Sequence, residues 1–161
     1  MPLTLTSPAF GHGDPMPREF TCEGDDVSPP LAWSGLPPAT QSLVLLVDDP
    51  DAPDPAAPKR VWLHWALYNL PPTCPGLPRA VRALPAGTRE GLTDSGESGY
   101  GGPCPPIGRH RYFHHLFALD AVLPDLGTPT RALLEAAMAG HVLEQTALLA
   151  TYEKGPAPAR G

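Results

Sequence analysis

Apolar and polar residues alternate with a period of two along two long stretches, which is typical of β-strands. Residues 61–68 predict one wholly apolar face and one aromatic face that carries a single imidazole. The apolar face comprises Val61, Leu63, Trp65 and Leu67, and the aromatic face comprises Trp62, His64, Ala66 and Tyr68. The second stretch, 109–120, places His110, Tyr112 and His114 on one side. These patterns indicate a β-rich protein.

One window of the chain has the composition of a helix. Residues 131–139 are strong helix formers, and Thr128 is expected to cap them with Pro129 in the first helical position. Gly140 is the expected stop signal, and residues 146–152 suit a closing strand. The chain is therefore predicted to be mainly β, with one short helix in its C-terminal half.

Two proline-rich turns accompany the alternating stretches. The chain reads DDPDAP at 48–53 and GGPCPP at 101–106, and each turn precedes a strand-like stretch that contains a histidine. If the two strands are neighbours, Asp49, His64 and His110 converge on one small polar pocket. Both histidines are then expected on a face that solvent lines.

The residues of this pocket favour the binding of a small anion. Histidine has an ordinary pKa near 6.5, so two imidazoles can share a proton and meet an incoming anion. The Tyr112 hydroxyl and the Gly102 backbone N–H are expected to add neutral donors, and Asp49 could orient an imidazole. A phosphate, a phosphorylated headgroup, a carboxylate or a sulfate-like group would suit such a site.

In order and spacing, these segments resemble the phosphatidylethanolamine-binding protein family, in its bacterial and archaeal Raf-kinase-inhibitor-like branch. The resemblance runs nearly end to end and implies a β-sandwich of antiparallel sheets with an anion-binding pocket. It rests on SPAF at 7–10, CEG at 22–24, SPPLAW at 28–33, the acidic turn, Trp62 with His64, YGGPCPP at 100–106 and HRY at 110–112.

Residue by residue, the resemblance implies a ligand-binding set drawn from both turns and both strands. It comprises Asp49, Ala52, Pro53, Trp62, His64, Gly102, Pro103, His110 and Tyr112. No cofactor and no metal are expected. No catalytic residue is expected either, because the chain has no Gly-x-Ser-x-Gly nucleophile elbow, phosphate-cradling loop or paired glutamates.

Three classes of function are compatible with this set. The leading interpretation is a non-catalytic protein that binds small anions or phosphorylated headgroups, with a regulatory role open. The alternative is an inhibitor that docks on a kinase or a protease, and an acid–base enzyme is the third. Because the sequence ends soon after Tyr152, we expect it to lack an additional C-terminal helix that borders the pocket in animal relatives, which puts kinase regulation in doubt. A second subunit could close the pocket mouth, so a homodimer is expected.

Length and charge restrict the possible domain organisation and function of the chain. The 161 residues fit one domain, predicted over 1–154 with a flexible tail at 155–161. A net charge of −6 without a basic run argues against nucleic-acid binding. No apolar stretch approaches the roughly 20 residues that span a bilayer, and no leader pattern is seen at the start. A cytoplasmic protein without integral membrane association is expected.

The cysteines support the same expectation. Cys22, Cys74 and Cys104 form no CxxC pair, and any disulfide scheme leaves one of them unpaired. All three are predicted to be free thiols, and Cys104 is expected near the pocket because it lies inside the second turn.

Overall fold

The computed structural model describes residues 2–155 of the chain. Its strands are β1 (Thr4–Thr6), β2 (Asp14–Pro15), β3 (Leu31–Ser34), β4 (Ser42–Ala52), β5 (Arg60–Leu70), β6 (Gly76–Leu77), β7 (Arg89–Glu90), β8 (His110–Leu119) and β9 (Val142–Tyr152). A helix, α1 (Arg131–Met138), precedes β9, and a 3₁₀ turn covers Arg18–Phe20.

The strands form two sheets that pack face to face. The smaller sheet has the order β1-β3-β6, and the larger sheet has the order β2-β9-β8-β4-β5-β7. The long strands β4, β5, β8 and β9 pair antiparallel with their neighbours, and β2 adds a short parallel edge. The predicted β-sandwich with one short helix is confirmed.

Each face of the larger sheet covers its own hydrophobic core. The first core lies between the two sheets, where Leu5 and Trp33 of the smaller sheet meet Leu45 and Leu116 of the larger one. The second core lies on the outer face, where Val44, Leu46, Leu63, Ala66 and Tyr68 pack against Leu134 and Met138 of α1. The central strands are therefore buried on both sides, as their nearly continuous apolar runs require.

The strand β5 departs from simple alternation at His64. Val47 pairs with Trp65 while Asp48 pairs with Leu63, so His64 is an extra residue on β5 and forms a bulge. The bulge places Leu63 in the outer core and Trp65 in the inner core. The prediction that Val61, Leu63, Trp65 and Leu67 share one face is therefore wrong, because a bulge reverses the side on which every later residue lies.

The helix begins later than the sequence predicted. Thr130, not Thr128, is the N-cap, and its hydroxyl accepts a hydrogen bond from the Leu133 N–H at 3.3 Å. Pro129 lies outside the helix, directly before the N-cap, and its carbonyl accepts the Leu92 N–H at 2.8 Å. Gly140 follows the helix with a φ of 82°, a left-handed conformation that suits glycine at a helix end.

The predicted tail, 155–161, lies outside the described residues except for Gly155. Within the part of the chain that the structure describes, no helix has the length and apolar character needed to cross a membrane.

Candidate functional site

A cavity of about 360 Å³ opens at one end of the sandwich, beside the start of β5 and the segment 101–106. It is lined by Cys22, Asp26, Ala52, Pro53, Trp62, His64, Ser95, Gly101, Gly102, Cys104, Pro105, Pro106 and Tyr112. Six of the nine sequence-predicted residues are in this lining, namely Ala52, Pro53, Trp62, His64, Gly102 and Tyr112. The other three, Asp49, Pro103 and His110, are buried and do not line it.

His64 is held rigidly by one ring nitrogen and exposes the other to the cavity. Its Nδ1 lies 2.7 Å from the Gly101 carbonyl oxygen, so Nδ1 carries the proton and donates it. Among the described residues, Nε2 has no hydrogen-bond partner, although the residue is only 8% exposed. Burial lowers the pKa of His64 below its ordinary value, against the opposing effects of the Gly101 carbonyl and the Asp49 charge. At neutral pH, Nε2 is therefore an acceptor.

Asp49 and His110 form a pair behind the cavity wall. His110 Nδ1 lies 2.5 Å from Asp49 Oδ2, and His110 Nε2 lies 2.8 Å from the Ile107 carbonyl oxygen. Because a carboxylate and a carbonyl are both acceptors, each of these contacts requires a proton. The pair then has no net charge, whether the shared proton is on nitrogen or on oxygen. His110 is 1% exposed, so the expectation that solvent lines both histidines is wrong for His110.

Tyr112 and Trp62 supply the aromatic part of the lining. The Tyr112 ring meets the His64 ring edge-on, with centroids 5.3 Å apart, and stacks on His110 at 6.3 Å. Burial raises the pKa of Tyr112, as does the neighbouring Asp49 carboxylate, so its hydroxyl stays protonated. Trp62 is half-buried and carries the Arg60 guanidinium 4.7 Å from its ring centroid.

The glycine–proline segment 101–106 forms one wall, but its backbone does not offer the expected donor. The Gly102 N–H donates to Asp26 Oδ1 at 2.7 Å, and the Gly101 N–H donates to the His64 carbonyl at 3.1 Å. A side chain at position 102 would overlap the Phe20 carbonyl and the Asp26 carboxylate. The prediction of a free Gly102 N–H is wrong because this backbone packs against the protein itself.

A disulfide joins Cys22 to Cys104 in this wall. The prediction of three free thiols is therefore wrong for two of them, and only Cys74 is free. The cysteines are 82 residues apart, so only the packing of loop 20–26 against segment 101–106 reveals the pairing. The Cys22 N–H also donates to the Pro103 carbonyl at 3.1 Å. The disulfide removes the support that free thiols gave to a cytoplasmic location.

The cavity includes residues that sequence reasoning did not select. Asp26 and Cys22 come from the loop after the 3₁₀ turn, and Ser95 comes from the loop after β7. Loops have no periodicity, so no pattern could place these residues. The nearest signal was the CEG motif itself, which lies directly before Asp25 and Asp26.

A second cluster of charged residues lies on the outer face of the same sheet. Asp48 accepts hydrogen bonds from Arg131 Nη1 at 2.8 Å and from His115 Nε2 at 3.2 Å, so both carboxylate oxygens have partners. These two bonds hold the pKa of Asp48 below its ordinary value although burial raises it. An open depression of about 550 Å³ lies over this cluster. The cluster ties the first residue of α1 to the sheet.

The described residues offer no evident metal centre. Within residues 2–155, no three His, Cys, Asp or Glu side chains gather closely enough to hold a metal ion.

Comparisons with known proteins agree with this architecture. The family model described as phosphatidylethanolamine-binding protein matches residues 6–153. A protein from Methanothermobacter thermautotrophicus, named only UPF0098 protein, is 46% identical over 158 residues that cover 95% of this chain and all of the relative.

Two solved bacterial structures are also similar. A phosphatidylethanolamine-binding protein homolog from Chlamydia trachomatis has a TM-score of 0.89 at 41% identity, over 96% of this chain and 99% of the other. YbcL of Escherichia coli, described as a member of the mammalian family, has a TM-score of 0.86 at 30% identity, over 96% and 100% of the two chains. The chain belongs to the phosphatidylethanolamine-binding protein family.

Proposed function

We propose that this protein is a non-catalytic binding protein that takes a small anion into the cavity beside His64. The observation that carries the proposal is His64 Nε2, a ring nitrogen without a hydrogen-bond partner among the described residues, while Nδ1 is fixed by the Gly101 carbonyl oxygen at 2.7 Å. His64 lines the cavity and its Nε2 is not one of the fully buried polar atoms, so a ligand in the cavity can reach it. A partnerless nitrogen in a cavity lining supports a ligand as the missing partner.

The protonation state of His64 determines what the cavity can hold. A neutral His64 presents a lone pair at Nε2 and repels an anionic oxygen, whereas a protonated His64 presents a charged N–H donor. Anion binding is therefore coupled to the uptake of a proton by His64. Because the Asp49–His110 pair has no net charge, the pocket floor does not oppose an anion as an isolated carboxylate would.

The cavity chemistry supports binding rather than catalysis. Cys22 and Cys104 are joined in a disulfide and supply no thiolate. The Ser95 hydroxyl contacts Thr93 at 2.8 Å rather than a histidine, so no base is in place to activate it. Binding of a small anion requires only the donors that a protonated His64 and the aromatic side chains provide.

The test is a pH series of ligand titrations with methyl sulfate, a monoanion that does not titrate near neutral pH. We expect its affinity to rise as pH falls from 7.5 to 5.5, by at most about tenfold per unit, since one proton is taken up per ligand bound. His64→Gln, which cannot titrate, should bind weakly and with a flat pH profile. The exposed His141, paired with Asp120 at 2.8 Å, provides the matched control His141→Gln. An affinity that does not change with pH, or unchanged binding by His64→Gln, would overturn the proposal.

Inhibition of a kinase or a protease by direct contact, and assembly as a homodimer, stay predictions. No contact among the described residues favours either of them over ligand binding.

A further inference from the structure

A single peptide group lies between the Asp26 carboxylate and the His64 ring. The Gly102 N–H donates to Asp26 Oδ1 at 2.7 Å, and the Gly101 carbonyl oxygen lies 2.7 Å from His64 Nδ1. This N–H and this carbonyl belong to the same peptide group, the one that joins Gly101 to Gly102. The carboxylate is therefore connected to the imidazole by two hydrogen bonds in series.

The peptide group is also held by contacts that do not involve the carboxylate. The Gly101 N–H donates to the His64 carbonyl at 3.1 Å, so Gly101 is bound to His64 through both its N–H and its carbonyl. On the next residues, the Cys22 N–H donates to the Pro103 carbonyl at 3.1 Å, and the disulfide joins Cys22 to Cys104. A change in the charge of the carboxylate should therefore leave the peptide group in place.

A carboxylate that accepts the N–H of a peptide group makes the carbonyl of that group a stronger acceptor. Hydrogen bonds in a chain polarise one another, and a bond to an ionised group is stronger than a bond between neutral groups. The stronger acceptor favours a proton on His64 Nδ1, and it also favours the imidazolium, whose N–H is the better donor. Burial lowers the pKa of His64, and the Gly101 carbonyl and the charge of Asp26 oppose this effect.

Titratable side chains from several elements surround His64. They are Asp48 and Asp49 of β4, Tyr112 and His114 of β8, Asp26 of the loop after the 3₁₀ turn and Asp94 of the loop after β7. At pH 6, Tyr112 and His114 are uncharged, because burial raises the pKa of Tyr112 and lowers that of His114 to about 4. The Asp49–His110 pair has no net charge either.

The three carboxylates that remain differ in how they are compensated. Asp48 accepts a hydrogen bond from Arg131 Nη1 at 2.8 Å, and Asp94 pairs with Arg60 at 3.2 Å. Within residues 2–155, Asp26 forms no ion pair, and its one hydrogen-bond partner is the N–H of the peptide group described above. Asp26 is thus the uncompensated charge that acts on the imidazole, and it acts through a hydrogen-bonded path.

We propose that Asp26 is a positioning residue that acts through the Gly101–Gly102 peptide group to hold a proton on His64 Nδ1 and to stabilise the imidazolium. Nε2 is then left to face the cavity, and Asp26 helps to determine the pH at which His64 becomes a charged donor. The inference rests on the proposed function only in taking His64 as the residue that meets the anion.

The experiment is an NMR pH titration of the histidine rings of the free protein from pH 7.5 to pH 5, in an amine buffer that supplies no oxyanion. His64→Gln identifies the resonances of His64. In Asp26→Asn, the affinity of His64 for a proton should fall by about two- to threefold, as expected for one solvent-screened charge several ångströms away. The Nδ1 proton resonance of neutral His64 should move upfield, because its hydrogen bond to Gly101 becomes weaker.

Asp26→Asn is a conservative variant for this purpose. The asparagine Oδ1 can still accept the Gly102 N–H, and asparagine tolerates the left-handed φ of 55° that Asp26 adopts. The matched control is Asp25→Asn, which removes an exposed carboxylate that pairs with Arg79 at 3.4 Å and has no contact with the peptide group. It should leave the Nδ1 proton resonance of His64 unchanged.

Three results would overturn the proposal. His64 could titrate in Asp26→Asn as it does in the wild type, or Asp25→Asn could have an equal effect, which would indicate general surface charge. A lower proton affinity with an unchanged Nδ1 proton resonance would show that Asp26 acts through space and not through the peptide group. Exposed His141 should titrate alike in all variants, which checks that the fold is retained.

The outcome is independent of the test of the proposed function, because no ligand is present. If Asp26→Asn has no effect on His64 while methyl sulfate binds with the expected pH dependence, the positioning role is refuted and the proposed function stands. If Asp26→Asn has the expected effect and methyl sulfate does not bind, the positioning role stands and the proposed function fails.

Discussion

Asp48 and Asp49 are neighbours in the chain, yet they lie on opposite faces of the larger sheet and have different roles. On the outer face, Asp48 is bound by Arg131 and His115, and both of its oxygens have partners. On the inner face, Asp49 is bound by His110 and by the Asp51 N–H, and the cavity-lining ring nitrogen without a partner within residues 2–155 is His64 Nε2. A carboxylate with a histidine does not by itself mark a binding site. The proposed site is distinguished by a fixed polar atom that lines a cavity and has no partner among the described residues.

The largest effect is expected where the inner-face pair is broken. His110→Ala would leave the Asp49 carboxylate, 4% exposed, without its histidine partner and with only the Asp51 N–H as a donor, and the free energy of unfolding should fall by about 3–5 kcal/mol. His64→Ala should cost less, about 1–2 kcal/mol, because it removes one hydrogen bond to a carbonyl and no charge partner. Urea unfolding at pH 7 measures both.

Equal losses of stability in His110→Ala and His64→Ala would show that both histidines are structural. The buried Asp49–His110 pair and the cavity-lining His64 would then not differ in their contribution to stability.

His114 sharpens the comparison because it is buried on the inner face without lining the cavity. Burial lowers its pKa to about 4, and the charges of His115 and His64 act in the same direction. Between pH 6.5 and pH 4, the unfolded chain therefore binds a proton that the folded chain does not, so stability falls with falling pH, by about 3 kcal/mol in total. Above pH 6.5 this residue should cause no pH dependence.

The measurement is a series of urea unfolding curves from pH 7.5 to pH 4. His114→Asn keeps an amide near the Leu148 carbonyl that His114 Nδ1 contacts at 3.2 Å, and it should flatten the slope below pH 6.5. An unchanged slope in this variant would place the acid sensitivity elsewhere.

A smaller effect is expected on the outer face. Arg131→Ala removes a charge-assisted hydrogen bond to the buried Asp48, which should cost about 1.5–3 kcal/mol of stability. Methyl sulfate affinity should change by less than about twofold, because the sheet separates this cluster from the cavity. Arg79→Ala, which removes exposed pairs with Glu19 and Asp25, should cost about 0.2–1 kcal/mol and is the control. A loss of ligand affinity in Arg131→Ala alone would mean that the two faces are coupled.

The sequence predicted the parts of the site that lie on strands. Period-two alternation placed His110 and Tyr112 on one side of β8, and the motif order placed Trp62 and His64 beside the glycine–proline segment. The bulge at His64 could not be predicted, because a single extra residue leaves the composition of a strand unchanged.

The loop residues of the site could not be predicted from the sequence, for a different reason. Asp26, Ser95 and the Cys22–Cys104 disulfide depend on which loops pack against each other, which alternation does not encode. The burial of Asp49 and His110 behind the wall also depends on that packing. The sequence thus predicted which residue types gather here, and only the structure shows which of their polar atoms have no partner within residues 2–155.

The most direct test of this account is nitrogen-detected NMR of the histidine rings during a titration with methyl sulfate at pH 6. The account predicts that free His64 is the Nδ1–H tautomer and that its Nε2 resonance moves towards the protonated position as ligand is added. His115 should not respond. A response at His115 equal to that at His64, or no response at His64 at saturating ligand, would contradict the claim that the unpartnered nitrogen marks the site.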